Sequence, residues 1–273
     1  MFLALLVRCK EEPYVREFVD YYLSQGVDTL YILDDGSSPE IYSEVTNNPK
    51  VKITYDHDII QKKSIKTLYE SIKNEYEWVI YVDMDEYITT KKHKEKTIRE
   101  ELETTFRECE CIKIPWVMMS CNGVEKNPVS LLHTNVFRWN HDKRHVNPIS
   151  NERKFRCRYE KIEVKCIFKP RYFHEIFDHH PRQPSSAHTV RIVDGVYNKP
   201  HPLSPFYFQL REKDIEQGFL LCYHYRIVSI ENCSSKIANN GWYKTYTLED
   251  LLSTDYPEIV DTTLWEKMAL QDG

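Results

Sequence analysis

One run constrains this chain more than any other: Trp78-Val79-Ile80-Tyr81-Val82 carries no charge and passes directly into Asp83-Met84-Asp85-Glu86. A short apolar run bounded by polar residues reads as a strand covered on both faces, as in a parallel sheet between layers of helices. Loops at the carboxyl ends of such strands are where open α/β sheets bind ligands, so Asp83 and Asp85 stand at a natural site. On an extended backbone their side chains point the same way, about 7 Å apart at Cα, and one hard cation between them would bridge to a diphosphate. The expectation is chemistry on a phosphorylated donor.

The residues before this run are punctuated to match. Residues 2–7 are apolar, and Val15, Phe18, Val19, Tyr22 and Leu23 recur at helical spacing. Gly26 follows as a C-cap, and residues 29–33 form a second strand closing on Asp34-Asp35-Gly36-Ser37-Ser38. That is a βαβ unit, whose strands run parallel. Further strands are expected at 50–55, 78–82, 111–116 and 219–225, with a Cys121-Asn122-Gly123 turn after the third of these. Helices are expected at 65–76, 97–107, 230–239 with Ser229 as N-cap, 248–252 and 264–270. Between 127 and 205, Pro and His break the pattern, and only 164–168 reads as a strand. The fold class is α/β, an open, twisted, mostly parallel sheet flanked by helices. One domain is expected over 1–240, with a donor half to 125 and an acceptor half after it, and then a helical extension over 241–273.

Composition excludes several classes. The 273 residues suffice for a substantial core, and 41% hydrophobic with 29% charged residues is a globular balance. A net charge of −5 leaves no basic footprint for nucleic acid. Eight scattered cysteines match no short disulfide framework, and Cys109, Cys111 and Cys121 lack the second pair that a structural zinc site needs. No stretch approaches the ~20 apolar residues of a membrane span, and 1–7 is too short for a signal peptide. The expected location is therefore cytoplasmic, with a catalytic domain cut from a longer membrane-associated protein as the alternative. The 19 tyrosines are expected mainly as packing residues.

Three constellations carry chemistry. The loops Arg8-Cys9-Lys10-Glu11-Glu12 and Asp34-Asp35-Gly36-Ser37 follow two parallel strands, where an acid can meet ribose or base and a Gly-Ser turn admits close backbone approach. Asp83 and Asp85 suit Mg²⁺ or Mn²⁺, which takes oxygen ligands and neutralises a departing diphosphate. Among the histidines, His224 at the end of an apolar strand is the first candidate for a metal ligand and His180 the second. His174, His179, His188 and His201 are expected as core or surface residues. Lys165, Lys169 and Arg171 flank the 164–168 strand, facing either phosphates or solvent. Arg226 is suited to a leaving diphosphate by its bidentate geometry.

With Arg8-Cys9-Lys10-Glu11-Glu12-Pro13, Gly26-Val27-Asp28, Asp34-Asp35-Gly36-Ser37-Ser38 and the Trp78 to Ile88 segment, the chain resembles family 2-like glycosyltransferases of the GT-A (Rossmann-like) fold. It resembles glycosyltransferase family 92 and its relatives more closely, through Ile114-Pro115-Trp116, Asn122-Gly123, His224-Tyr225, Ser229 and Lys236. The resemblance implies a nucleotide-sugar donor, a glycan or glycoconjugate acceptor and a divalent cation. By position, Arg8, Glu12, Asp34, Asp35 and Gln61 approach the nucleoside, and Asp83 and Asp85 serve metal and ribose, both being expected as metal ligands with His224. The family's Phe-Gly-Ser turn reads Met119-Ser120-Cys121-Asn122 here, a departure on the acceptor side.

The expected reaction is metal-dependent sugar transfer to a hydroxyl, with inversion as the resemblance implies and Asp178 as the base ahead of Glu152 and Glu175. The alternatives are a metal-dependent nucleotidyltransferase or phosphohydrolase, and a carbohydrate-binding domain without catalysis.

Overall fold

The computed structural model describes residues 1–55, 63–145, 161–241 and 243–269. In chain order the elements begin with β1 (Leu3–Cys9), α1 (Val15–Ser24), β2 (Thr29–Asp34), β3 (Val51–Tyr55), α2 (Lys63–Ile72), β4 (Trp78–Asp83), β5 (Glu86–Thr90), α3 (Ile98–Glu103) and β6 (Cys111–Ser120). The middle of the chain holds α4 (Leu131–Thr134), β7 (Phe137–Arg138), β8 (Ile162–Phe168), β9 (Phe173–Glu175), β10 (Arg182–Pro184), β11 (Ile192–Asp194) and β12 (Phe206–Tyr207). The last part adds α5 (Glu212–Gln217), β13 (Leu220–His224), α6 (Ile230–Asn239), α7 (Leu248–Leu252), β14 (Ile259–Val260) and α8 (Thr263–Ala269).

The main sheet runs β14-β7-β6-β8-β4-β1-β2-β3. β3, β2, β1 and β4 are parallel, as the apolar runs and the helices between them require. β8 is inserted antiparallel between β4 and β6. The order reverses at β1, which has β2 on one side and β4 on the other, so a crevice opens beyond the carboxyl ends of β1 and β4. α1 ends at Gly26, whose φ of +88° favours glycine. A Cβ there would stand 2.6 Å from Arg99 Cβ.

Three outcomes differ from the sequence reading. The backbone turns at Met84-Asp85 rather than continuing extended, and Glu86 opens β5, a fully buried strand paired with β13. β6 continues past Trp116 to Ser120; Pro115 falls between the stretches paired with β11 and with β13, so its missing N–H breaks no bond on that side. The stretch beyond 240 also supplies a strand, since β14 pairs with β7.

The tyrosines are largely core. Tyr21, Tyr22, Tyr87, Tyr223 and Tyr225 are essentially unexposed. Tyr21 and Tyr22 donate to the carbonyls of Ile88 and Glu86 at 2.8 Å each, tying α1 to β5.

Candidate active site

Local chemistry first shapes the loops around the crevice. Asp34, at 1% exposure, accepts from Gly36 N at 2.9 Å, Ser37 N at 3.1 Å and the Tyr42 hydroxyl at 2.5 Å. Its oxygens are spent on folding the turn. Asp35 pairs with Lys10 at 3.0 Å, and Ser38 N donates to Glu11 Oε1 at 2.7 Å, so the loops after β1 and β2 are stitched together.

In the parallel register Arg8 stands opposite Asp83. Asp83 Oδ1 accepts from Arg8 Nε at 3.1 Å and Nη2 at 2.7 Å, and Oδ2 from Lys165 Nζ at 2.8 Å. Burial opposes the charge on Asp83, but Arg8 and Lys165 outweigh it and hold the carboxyl well below its usual range. Lys165 is completely buried in β8; its ammonium also meets Glu86 Oε2 at 3.1 Å and the Asp178 carbonyl at 3.2 Å. Arg8 Nη1 lies 3.4 Å from the Asp178 carboxylate.

After the turn Asp85 points to a different set. Its Oδ2 accepts from Lys236 Nζ at 2.8 Å, and its Oδ1 faces His224 Nε2 at 3.7 Å. Burial, despite Asp85, pushes His224 down to about 4, so the ring is neutral at pH 7. The Trp116 ring packs on it with centroids 4.2 Å apart, and His179 stands 5.6 Å from the same indole. Acid remains in excess even with three cations present. Burial, with Asp83 and Asp85 alongside, pushes Glu12 up to about 7 and Glu86 up to about 8, against the opposing pull of Lys236 and Lys165.

Among the described residues no three His, Cys, Asp or Glu side chains are grouped to hold a metal ion. Asp85 and His224 nevertheless fit one. Asp85 Oδ1 accepts no hydrogen bond from the described residues, and a neutral imidazole is a metal ligand. Asp85 Oδ1 and His224 Nε2 face one another at 3.7 Å, and these are the two atoms that would hold an ion. Mg²⁺ and Mn²⁺ need only one or two protein ligands when substrate phosphates supply the rest.

The expected residues thus fall into groups. Arg8, Asp83 and Asp178 come together, as do Asp85 and His224, with Glu12 electrostatically coupled to Lys236, Asp85 and Asp83. Arg226 lies over the Tyr246 ring at 5.7 Å and acts on His224 through its charge. His180 Nδ1 is directed at its neighbour's carbonyl, Pro181 O, at 2.8 Å. His174 is exposed, and Glu175 faces Lys66 at 3.9 Å. Gln61 and Glu152 lie outside the described residues. Lys165 is neither at a solvated edge nor free for phosphate, and Lys169 donates to the Arg107 carbonyl at 2.8 Å.

Sequence reasoning placed no site role on Glu86, Lys236 or Trp116, and it set Lys165 toward phosphates or solvent rather than against Asp83 and Glu86. The signal for the lysines was present. Three acids in Asp83 to Glu86 need counter-charge, and a lysine inside an apolar strand, or on the Asn232-Cys233-Lys236 face of a helix, is where an internal cation would be carried.

A parallel sheet that reverses at β1, one antiparallel strand beside β4 and an acidic turn at the switch point define a GT-A-fold protein. The glycosyltransferase family 92 model matches residues 69–251, two-thirds of the chain. The chain belongs to that family. A comparison with curated proteins finds no match. Solved structures with some likeness include S. aureus TarS 1–349, at 14% identity over 62% of this chain and 47% of that one, TM-score 0.35. HddC from Yersinia pseudotuberculosis is similar at 12% identity over 80% of this chain and 98% of that one, TM-score 0.38. GalNAc-T7, solved with UDP, GalNAc and Mn²⁺, is similar at 11% identity over 87% and 48%, TM-score 0.36. The match thus spans about half of the TarS and GalNAc-T7 chains. Likeness of this degree bears on neither substrate nor mechanism. No helix among the described residues is long and apolar enough to cross a membrane.

Proposed function

We propose that the protein transfers a sugar from a nucleotide diphosphate sugar to a hydroxyl of a glycan or glycoconjugate, with Mn²⁺ or Mg²⁺ bound through Asp85 and His224. The observation that carries this reading is the split at the acidic turn, where Asp83 faces Arg8 and Lys165 while Asp85 keeps one oxygen toward a neutral imidazole. When bound, the divalent ion supplies positive charge to the departing diphosphate.

The chain's own residues do the rest. Arg8 and Lys165 fix Asp83 at the mouth of the crevice, one-third exposed, where it can accept from donor hydroxyls. Glu12, Asp34 and Asp35 belong to the nucleoside side, with Asp34 acting through the turn that it holds. Arg226 belongs to the diphosphate side. Asp178, one-quarter exposed and beside Arg8, is the proposed acceptor base; this assignment implies a single displacement with inversion. The domain reading keeps residues 1–240 as the catalytic unit. The seven described cysteines are free and buried, which suits a reducing compartment and supports a cytoplasmic location.

A thermal-shift screen of nucleotide sugars with Mn²⁺ identifies the donor, because binding to the folded state raises the melting point. Incubation of that donor with acceptor mixtures should then release nucleoside diphosphate. Release of nucleoside monophosphate instead, or no turnover with any donor, would overturn the reading.

A further inference from the structure

The ammonium of Lys236 occupies a position that a sugar-transfer site binding a divalent ion would be expected to keep clear. It is 8% exposed, lies 2.8 Å from Asp85 Oδ2 and is also held by the Arg226 carbonyl at 3.3 Å. It stands on a braced element. Ser229 caps α6 by accepting from Asn232 N at 2.9 Å and donates to Asn127 Oδ1 at 2.6 Å, and Ile230 N bonds Val124 O at 2.9 Å. Cys233, one turn before Lys236, packs in a small core with Cys121, Ile227, Tyr246 and Leu251. A cation so fixed cannot simply swing away when another approaches Asp85.

We propose that Lys236 is a resident counter-cation which opposes binding of a bare divalent ion at Asp85 and favours binding of the ion together with a diphosphate. The inference rests on the reading of Asp85 and His224 as the ion's ligands. On the same carboxylate, an ammonium and a divalent ion repel strongly because little water lies between them to screen the charge. A diphosphate reverses the balance, since its oxygens can accept from the ammonium while they ligate the ion. Lys236 then touches substrate, and metal and donor bind with positive coupling.

The test is Mn²⁺ binding followed by loss of the free-ion electron paramagnetic resonance signal, with no turnover required. Lys236→Gln keeps a donor for Asp85 but removes the charge, and Lys236→Arg keeps the charge. The glutamine variant should bind bare Mn²⁺ at least ten-fold more tightly than the wild type, and the arginine variant no more than three-fold differently. With the preformed Mn²⁺–pyrophosphate complex as ligand the order should reverse, the wild type binding more tightly than Lys236→Gln. Equal or weaker bare Mn²⁺ binding by Lys236→Gln, with binding in both proteins abolished by Asp85→Asn, would overturn the role of Lys236 alone. Binding that Asp85→Asn leaves unchanged would overturn the metal reading and this inference with it. Should Lys236→Gln fail to fold, Lys236→Met in a Glu12→Gln background, which removes a neighbouring acid together with the cation, gives the same comparison when read against the Glu12→Gln single variant.

Discussion

Two clusters of buried charge in this protein are built to different rules. Around Arg138 every charge is answered. The guanidinium donates to Asp261 at 2.8 Å, to both oxygens of Glu212 at 2.9 and 2.7 Å, and to the Trp139 carbonyl at 2.9 Å. Asp261 also receives Lys91 at 3.2 Å and the Tyr223 hydroxyl at 3.0 Å; against its burial, Lys91, the Thr263 hydroxyl and Arg138 hold it far below the carboxylate range. Around Asp83 and Asp85 the count does not close. Glu12 and Glu86 are pushed up, and Glu86 Oε1, His224 Nδ1 and Trp116 Nε1 are buried without hydrogen-bond partners among the described residues. A closed cluster fastens the C-terminal strand β14 and its flanks to β7 and α5. An open one is poised for a ligand that completes it.

The comparison breaks first on stability. Arg138→Met should cost about 3–5 kcal/mol by leaving Asp261 and Glu212 underpaired, which lowers the melting temperature by about 10 °C in a calorimetric scan. A loss below about 1 kcal/mol would mean that the cluster does not fasten the fold. Asp85→Asn should instead reduce donor turnover by about 10²–10³-fold, with a smaller loss of stability than Arg138→Met. Steady-state kinetics beside urea melts decide this, and a variant that keeps full turnover contradicts the assigned site.

The two clusters should also respond to pH with opposite sign. Glu86 rises from 4.5 to about 8, so the folded state holds its proton more tightly than the unfolded chain does. Its contribution is present below pH 4.5 and is lost as pH climbs to about 8. His141, beside Arg138, falls from 6.5 to about 3 through burial and that positive neighbour. Its contribution is present above pH 6.5 and is lost as pH falls toward 3. Glu86→Gln should therefore flatten the stability profile on the alkaline side and His141→Gln on the acid side. Each effect should be on the order of 1–3 kcal/mol in urea melts across the window. The smallest effect is expected for Ser229→Ala, which should cost about 1 kcal/mol by uncapping α6 and should loosen the seat of Lys236, read as tighter bare Mn²⁺ binding.

Much of the donor half was legible. β1, α1, β2 and β4 follow from apolar runs and a helical stripe, because each of those elements buries its own pattern locally. The N-cap at Ser229 and the bounds of α6 and α7 were equally local. β5 was hidden because Glu86 opens it, and a buried carboxylate is tolerable only with Lys165 beside it, 79 positions later in the chain. Residues 127–205 were poorly legible because their described strands are two, three or seven residues long and owe their place to partners in β4, β6 and β9.

The sequence by itself determined that this protein has a parallel βαβ start and an acidic turn at a strand end, since periodicity and turn chemistry act over a few residues. It also supplied the family motifs. Only the tertiary structure decided which cation each acid meets. Arg8, Lys165, His224 and Lys236 come from four separate elements, and their charges acquire meaning only when β1, β8, β13 and α6 pack around the end of β4, where low polarisability makes every unmatched charge count.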